Sequence, residues 1–241
     1  MFPSGDSMIV SHLVAAIVLI AMPIRSIYDT RALRAPSSPY RKAYTYIGVS
    51  LILWALTAAV WLEYGLADTW RYGGGSLPIG ASRLLVGVVL VYFAAQILLP
   101  LALGLHADFR SAMKQSYASR SFVLPVTRAE TWLYAWTAIT VGICEEVLFR
   151  AFLPAYLQAA PYGLGYGTAF LAAAVLFGLS HFLQGVSGIV QTFVAAILFG
   201  YLYYATGSLL VPVVIHALYD LRIIAIARIV TRHADDIKSP S

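Results

Sequence analysis

The stretch TWLYAWTAITVGICEEVLFRAFL (Thr131–Leu153) is uncharged except for Glu145, Glu146 and Arg150. It is long enough to cross the hydrocarbon core of a bilayer, which takes about 20 mostly apolar residues in a helix. The run is continuous rather than alternating, which favours a helix over a strand of a membrane barrel. Six similar runs lie on either side of it, at Met8–Ile24, Tyr44–Leu62, Leu84–Leu105, Leu164–Leu183, Ile189–Ala205 and Ser208–Ile229. The sequence therefore predicts an all-α, polytopic transmembrane helical bundle of about seven spans, within a range of six to eight.

The composition excludes several classes of protein. Hydrophobic residues make up 60% of the 241 and charged residues only 11%, whereas soluble domains average about 45–50% and about 25%. The mean hydropathy is +0.78. A disordered chain and a soluble nucleic-acid-binding protein are therefore excluded, despite the net charge of +5. A single cysteine, Cys144, excludes an internal disulfide, and we interpret it as a small buried hydrophobic residue.

The chain divides into three parts, and its basic residues predict an orientation. Residues 1–125 hold N-terminal transmembrane helices and loops, residues 126–230 a core with most of the intramembrane charge, and residues 231–241 a polar tail. Basic residues concentrate in segments 25–43 and 106–130 and at the C-terminal end. Seven spans place these segments on one side, which the positive-inside rule makes cytoplasmic. We expect the N-terminus outside, the C-terminus in the cytoplasm and, without an organelle-targeting segment, a bacterial inner (plasma) membrane.

Ionisable residues inside the apolar runs mark a candidate site. Asp, Lys or Arg at the centre of a membrane helix costs about 2.5–3.5 kcal/mol, so such residues are functional by default. The set consists of Glu145, Glu146, Arg150, His181, His216 and Asp220. Glu146 and Arg150 are four residues apart on one helical face and are predicted to pair. Glu145 is rotated away by about 100°.

Glu145 has no local partner, and an unpaired carboxylate at low dielectric is suited to exchanging a proton. This favours Glu145 as a general base, with Glu146 and Arg150 as its support. The alternative is that all three form one buried charge network that only fixes helix packing. His216 and Asp220 are again four residues apart, so the carboxylate can orient the imidazole or both can face one ligand.

Two mechanisms suit these residues. In the first, His181, His216 and a carboxylate bind a divalent metal such as Zn²⁺, and Glu145 activates the bound water. The candidate ligands are Glu145, His181, His216 and Asp220. In the second, no metal takes part: Glu145 activates water directly and the histidines donate hydrogen bonds to the oxyanion. The zinc motif H-E-x-x-H and the nucleophile motif G-x-S-x-G are absent from the sequence.

Local signals predict how the helices begin and pack. Thr127 with Glu130 three residues later is a capping box that starts the fourth helix. Glycine and alanine in the fifth and sixth runs favour close helix packing. The predicted boundaries place Glu145, His181 and His216 at different depths. A common site requires tilted or shifted helices, or a fourth helix that continues past Arg150 through the apolar segment Ala151–Leu157.

Three short motifs occur in order: Glu145-Glu146-Val147-Leu148-Phe149-Arg150 fits E-E-x-x-x-R, Phe177–His181 fits F-x-x-x-H, and His216–Asp220 fits H-x-x-x-N/D. Over residues 130–225 the chain resembles the CPBP intramembrane proteases, which include type 2 CAAX prenyl proteases and abortive-infection and bacteriocin-immunity-like proteins. The resemblance implies hydrolysis of a peptide bond in a peptide or membrane-protein substrate. It makes Glu145 the water-activating carboxylate and Glu146 and Arg150 its supporting pair. His181, His216 and Asp220 would bind the oxyanion or, in the metalloprotease description, a metal.

Two other functional classes stay open. A non-catalytic membrane scaffold or immunity protein would retain the residues without the reaction. A proton-coupled transporter would use buried carboxylates and histidines as a relay and would need inverted repeats or broken helices. Pro212, shortly before His216, is the candidate position for such a break. Asp220 stands where eukaryotic prenyl proteases usually have asparagine, so a prenylated substrate is not implied.

Overall fold

A computed structural model describes residues 8–25, 27–28, 41–72, 77, 80–118, 124–159 and 161–235. Most of the basic segment 25–43, part of the basic segment 106–130 and residues 236–241 of the polar tail lie outside these ranges. Within the described ranges the regular elements are helices. One isolated antiparallel backbone bridge also pairs Arg71 with Ser208. The all-α prediction is confirmed for this part of the chain.

The helices of the described ranges are numbered here in chain order. Their bounds are α1 Met8–Ala16, α2 Arg41–Tyr64, α3 Leu66–Trp70, α4 Arg83–Leu103, α5 Ala107–Ala118, α6 Arg128–Glu146, α7 Leu153–Gln158, α8 Tyr166–Ser180, α9 Gly185–Thr206 and α10 Leu210–Asp235. Two wider, π-helical segments continue α1 over Ile17–Ala21 and connect α6 to α7 over Val147–Phe152. A short 3₁₀ turn, Phe182–Gln184, connects α8 to α9.

Within the described residues, four helical segments are long and apolar enough to cross a membrane. They are Lys42–Tyr64, Arg83–Leu103, Gly185–Thr206 and Leu210–Val230. Two shorter apolar segments, Ile9–Arg25 and Tyr166–Ser180, accompany them. Length and composition thus support an integral membrane protein, whereas the count of about seven spans stays a prediction. Pro212 lies in the first turn of α10 and does not interrupt it, as expected for proline at a helix start.

The helix that carries the glutamates begins and continues as predicted. The Thr127 hydroxyl accepts from the Glu130 backbone N–H, and the Glu130 carboxylate accepts from the Thr127 N–H, which completes the capping box. The helix then runs through the π-helical segment into α7, past Arg150. Pro154 gives a physical reason for the wider segment, because it has no N–H and its ring would meet the Arg150 carbonyl in a regular helix.

Helix α6 is at the centre of the fold, with α2 and α10 packed against it, while α8 packs against α9. Small residues permit these close approaches, as predicted. A Cβ atom on Gly142 would lie 2.9 Å from the backbone nitrogen of Ala217 in α10. One on Gly178 would lie 3.0 Å from the Ile189 carbonyl in α9. Cys144 is fully buried, which confirms its interpretation as a core residue.

Candidate active site

Glu146 lies between two side chains that can carry positive charge. Its carboxylate accepts a hydrogen bond from His216 Nδ1 at 2.7 Å through Oε1. Its other oxygen, Oε2, is 3.1 Å from Arg150 Nε. The glutamate is completely buried, and Arg150 and His216 are 4% and 5% exposed. The predicted pair of Glu146 and Arg150 is confirmed, and a histidine from α10 joins it.

Aromatic rings enclose this cluster. The Arg150 guanidinium carbon lies 4.1 Å from the centre of the Phe177 ring and 5.5 Å from that of Phe199. The Phe199 ring also stacks on His216, with centroids 4.9 Å apart. A cation over an aromatic face is attracted by the ring, the more so where water is excluded. The two phenylalanines therefore help to hold Arg150 and His216 beside Glu146.

Of the two interpretations of the His216 and Asp220 spacing, the structure does not show the one in which Asp220 holds the ring. Asp220 Oδ2 is 3.7 Å from His216 Nε2, which is longer than a hydrogen bond. Glu146 instead holds the ring through Nδ1. The two residues are 70 positions apart, so no local periodicity could indicate this contact. The motif resemblance placed both residues in the site but gave no pairing between them.

Glu145 is buried beside the cluster but is not part of its ion pair or of its hydrogen bond to His216. The residue is 7% exposed, and its Oε2 atom has no hydrogen-bond partner among the described residues. It interacts electrostatically with His216, Asp220 and Arg150. Glu146 thus has the hydrogen bond from His216 at one oxygen and the ion pair with Arg150 at the other, whereas Oε2 of Glu145 has neither. The assignment of Glu145 as the base stays a prediction.

His181 directly follows the last residue of α8. Its Nδ1 is 2.8 Å from the Phe177 carbonyl oxygen, and because a carbonyl only accepts, Nδ1 carries the hydrogen. In a neutral ring Nε2 is then an acceptor. The Phe177 ring contacts both imidazoles, with centroids 4.6 Å from His181 and 6.2 Å from His216. The structure thus brings the two histidines to a common depth, which the predicted span boundaries did not.

Residues 127–222 match the family model described as type II CAAX prenyl endopeptidase Rce1-like. The segment resembles these endopeptidases. The resemblance predicted from the three motifs is confirmed over this part of the chain, which is less than half of it and contains all six site residues. Comparisons with curated proteins and with solved structures found no match.

The geometry of residues 127–222 does not fit a metal centre. Among the described residues, no group of three His, Cys, Asp or Glu side chains could hold an ion. The zinc alternative proposed Glu145, His181, His216 and Asp220 as ligands, and this donor set is not assembled. The Nδ1 contacts of the two histidines, with Glu146 and with the Phe177 carbonyl, leave both Nε2 atoms open, so the mismatch lies in the grouping of the four side chains and not in the orientation of the rings.

The cluster has a closed side and a more accessible side. The side chains of Glu146 and Arg150 are 0% and 3% exposed, whereas that of Asp220 is 29% exposed. His181 is also only half-buried. A substrate would therefore reach the site past Asp220 and His181, with Glu146 and Arg150 at its back.

Proposed function

We propose that the protein is a membrane-embedded endopeptidase that hydrolyses a peptide bond with a water molecule activated by Glu145. The observation that carries this proposal is the free oxygen of Glu145 beside a cluster in which Glu146 is already paired with Arg150 and His216. The match of this segment to an endopeptidase family supports the same reaction class.

The proposed reaction begins with proton removal from water by the Glu145 carboxylate. The resulting hydroxide attacks the carbonyl carbon of the scissile peptide bond, and the π electrons of the C=O bond move to the carbonyl oxygen. Breakdown of the tetrahedral intermediate re-forms the carbonyl and breaks the C–N bond. The proton held by Glu145 passes to the leaving amine nitrogen, so the same carboxylate acts first as base and then as acid.

The histidines have different parts in this proposal. His216 has a carboxylate near each ring nitrogen, and when both nitrogens are protonated Nε2–H can donate to the oxyanion. His181 has its Nδ1–H occupied by a backbone carbonyl, so a neutral His181 accepts through Nε2. We therefore assign His181 to the orientation of the attacking water and His216 to the oxyanion.

The setting of the reaction is also a proposal. We propose seven spans in a bacterial inner membrane, with the N-terminus outside and the C-terminus in the cytoplasm, and a peptide or membrane-protein substrate. The excess of basic residues in segments 25–43 and 106–130 and at the C-terminal end of the sequence supports this orientation. A fusion of alkaline phosphatase to the C-terminus is expected to be inactive, because that enzyme matures only outside the cytoplasm. An active fusion would reverse the assigned orientation.

The direct test compares membrane proteomes of cells with the wild type, Glu145→Gln or Glu130→Gln at equal abundance. Glu130 is a matched control, because its capping position accepts glutamine as well as glutamate. New peptide termini are expected with the wild type and Glu130→Gln and not with Glu145→Gln. Identical proteomes together with a phenotype on deletion would contradict the proposal and favour a non-catalytic scaffold.

A further inference from the structure

The guanidinium of Arg150 has more hydrogen-bond donors than the protein satisfies. Its Nε faces Glu146 in the ion pair. Its two terminal nitrogens, Nη1 and Nη2, are buried and have no hydrogen-bond partner among the described residues. Buried polar groups in native proteins are almost always hydrogen-bonded, to protein or to ordered water. The donors of Arg150 therefore require an acceptor that the side chains around them do not supply.

A cavity adjoins this guanidinium. Arg150 lines it together with Phe149, and α8 contributes Tyr166 and Phe170 to its wall. Small residues form the rest of the wall, including Ala196 and Gly200 of α9. Apart from Arg150, none of the six candidate site residues lines it. The cavity is thus distinct from the place where a peptide bond would bind.

The size of the cavity decides what it can hold. About 10 Å³ is open to the centre of a water-sized sphere, which is close to the minimum for one water molecule. Arg150 makes one end of the cavity polar, because its terminal nitrogens carry N–H donors without a hydrogen-bond partner among the described residues.

We propose that this cavity is a binding site for one ordered water molecule that accepts a hydrogen bond from the terminal nitrogens of Arg150. The water accepts hydrogen bonds from the terminal nitrogens of the guanidinium, one from Nη1 and one from Nη2. It thereby keeps Arg150 over the Phe177 and Phe199 rings, in the position from which Nε pairs with Glu146. The water acts as a positioning group, separate from the water that Glu145 would activate.

X-ray radiolytic footprinting of the purified full chain in bicelles tests this site, with H₂¹⁸O as the probe. Radiolysis of a bound water oxidises the side chains next to it. Phe149 lines the cavity and is 3% exposed, whereas Phe93 is 1% exposed and does not line it. Phe149 is expected to be oxidised several-fold faster than Phe93. After mixing with H₂¹⁸O, ¹⁸O is expected to appear only slowly in the oxidised Phe149. Equal rates for the two rings would overturn the proposal.

Variants at Ala196 locate the water in this cavity. Ala196→Val fills the space with methyl groups and should lower the oxidation of Phe149 to the level of Phe93. Ala196→Ser fills it with a hydroxyl that can replace the water as acceptor, so it should unfold at a higher temperature than Ala196→Val. Ala169→Val controls for overpacking, because Ala169 is buried in α8 and does not line the cavity. Unchanged Phe149 oxidation in a folded Ala196→Val variant would contradict the assignment.

Discussion

Two isosteric changes at neighbouring positions, Glu145→Gln and Glu146→Gln, should differ sharply in their effect on stability. Glu146 is fully buried and contacts Arg150 at 3.1 Å and His216 at 2.7 Å. A glutamine there keeps the shape and an acceptor for His216 but removes the charge opposite Arg150. Glu145 takes part in none of the ion pairs found within 4 Å among the described residues, so its replacement breaks no such pair.

The magnitude follows from the geometry of the pair. Two unit charges 3.1 Å apart attract by about 5 kcal/mol at an effective dielectric of about 20. Breaking a buried pair by removing one partner typically costs about 3–5 kcal/mol, because the other charge stays buried. In a chain of this size each kcal/mol shifts the melting temperature by about 2–4 °C. Glu146→Gln should therefore lower it by about 10 °C, and Glu145→Gln by less than about 3 °C.

Thermal unfolding of the purified variants in one detergent, followed by circular dichroism, measures the difference. Glu130→Gln is the control for a glutamate change outside the site. The assignment of separate roles is refuted if Glu145→Gln and Glu146→Gln lower the melting temperature equally. That result would support the alternative in which both glutamates and Arg150 form one structural network.

Three further predictions concern packing, Asp220 and metal dependence. Gly142→Ala should cost about 1–3 kcal/mol of stability and reduce cleavage, because its Cβ would lie 2.9 Å from Ala217 N and would push α10 away from α6. Gly87→Ala, whose Cβ has no neighbour within 4 Å, is the control for unfolding and cleavage assays, and equal losses would disprove the packing argument. Asp220→Asn should lower the cleavage rate by less than about tenfold, or about 1.4 kcal/mol, because Asp220 is 3.7 Å from His216 Nε2. Abolished cleavage in a folded variant would show a direct role for the carboxylate. Dialysis against a chelator should leave cleavage unchanged, since the described residues assemble no metal site. Activity lost on dialysis and restored by Zn²⁺ would contradict this.

Local features of the site could be predicted because they depend on residues close together in the sequence. The capping box at Thr127 and Glu130 and the pair of Glu146 with Arg150 follow from helical spacing alone, and both are present. The continuation of the helix past Arg150 also followed from the apolar residues after it. The family resemblance added the three motifs of one segment, and the family model matches that segment.

Contacts between distant helices could not be predicted in this way. Asp220 was expected to orient His216 because it lies on the same helical face, yet Glu146 from another helix is closer. The zinc alternative depended only on residue types, and the described residues assemble no group of three such side chains that could hold an ion. The predicted span boundaries placed His181 and His216 at different depths in the membrane, because each boundary was assigned from its own segment alone.

The sequence by itself determined that the chain is helical and apolar enough for a membrane, and which charged residues had to be sheltered there. These properties follow from composition and from helical periodicity, which act over a few turns. Only the tertiary structure decided which charges meet. Close approach at Gly142 sets α10 against α6, which brings His216 to Glu146 and leaves an oxygen of Glu145 free. In a low-dielectric interior a displacement of one ångström changes such interactions strongly, so packing rather than sequence spacing fixes the chemistry of the site.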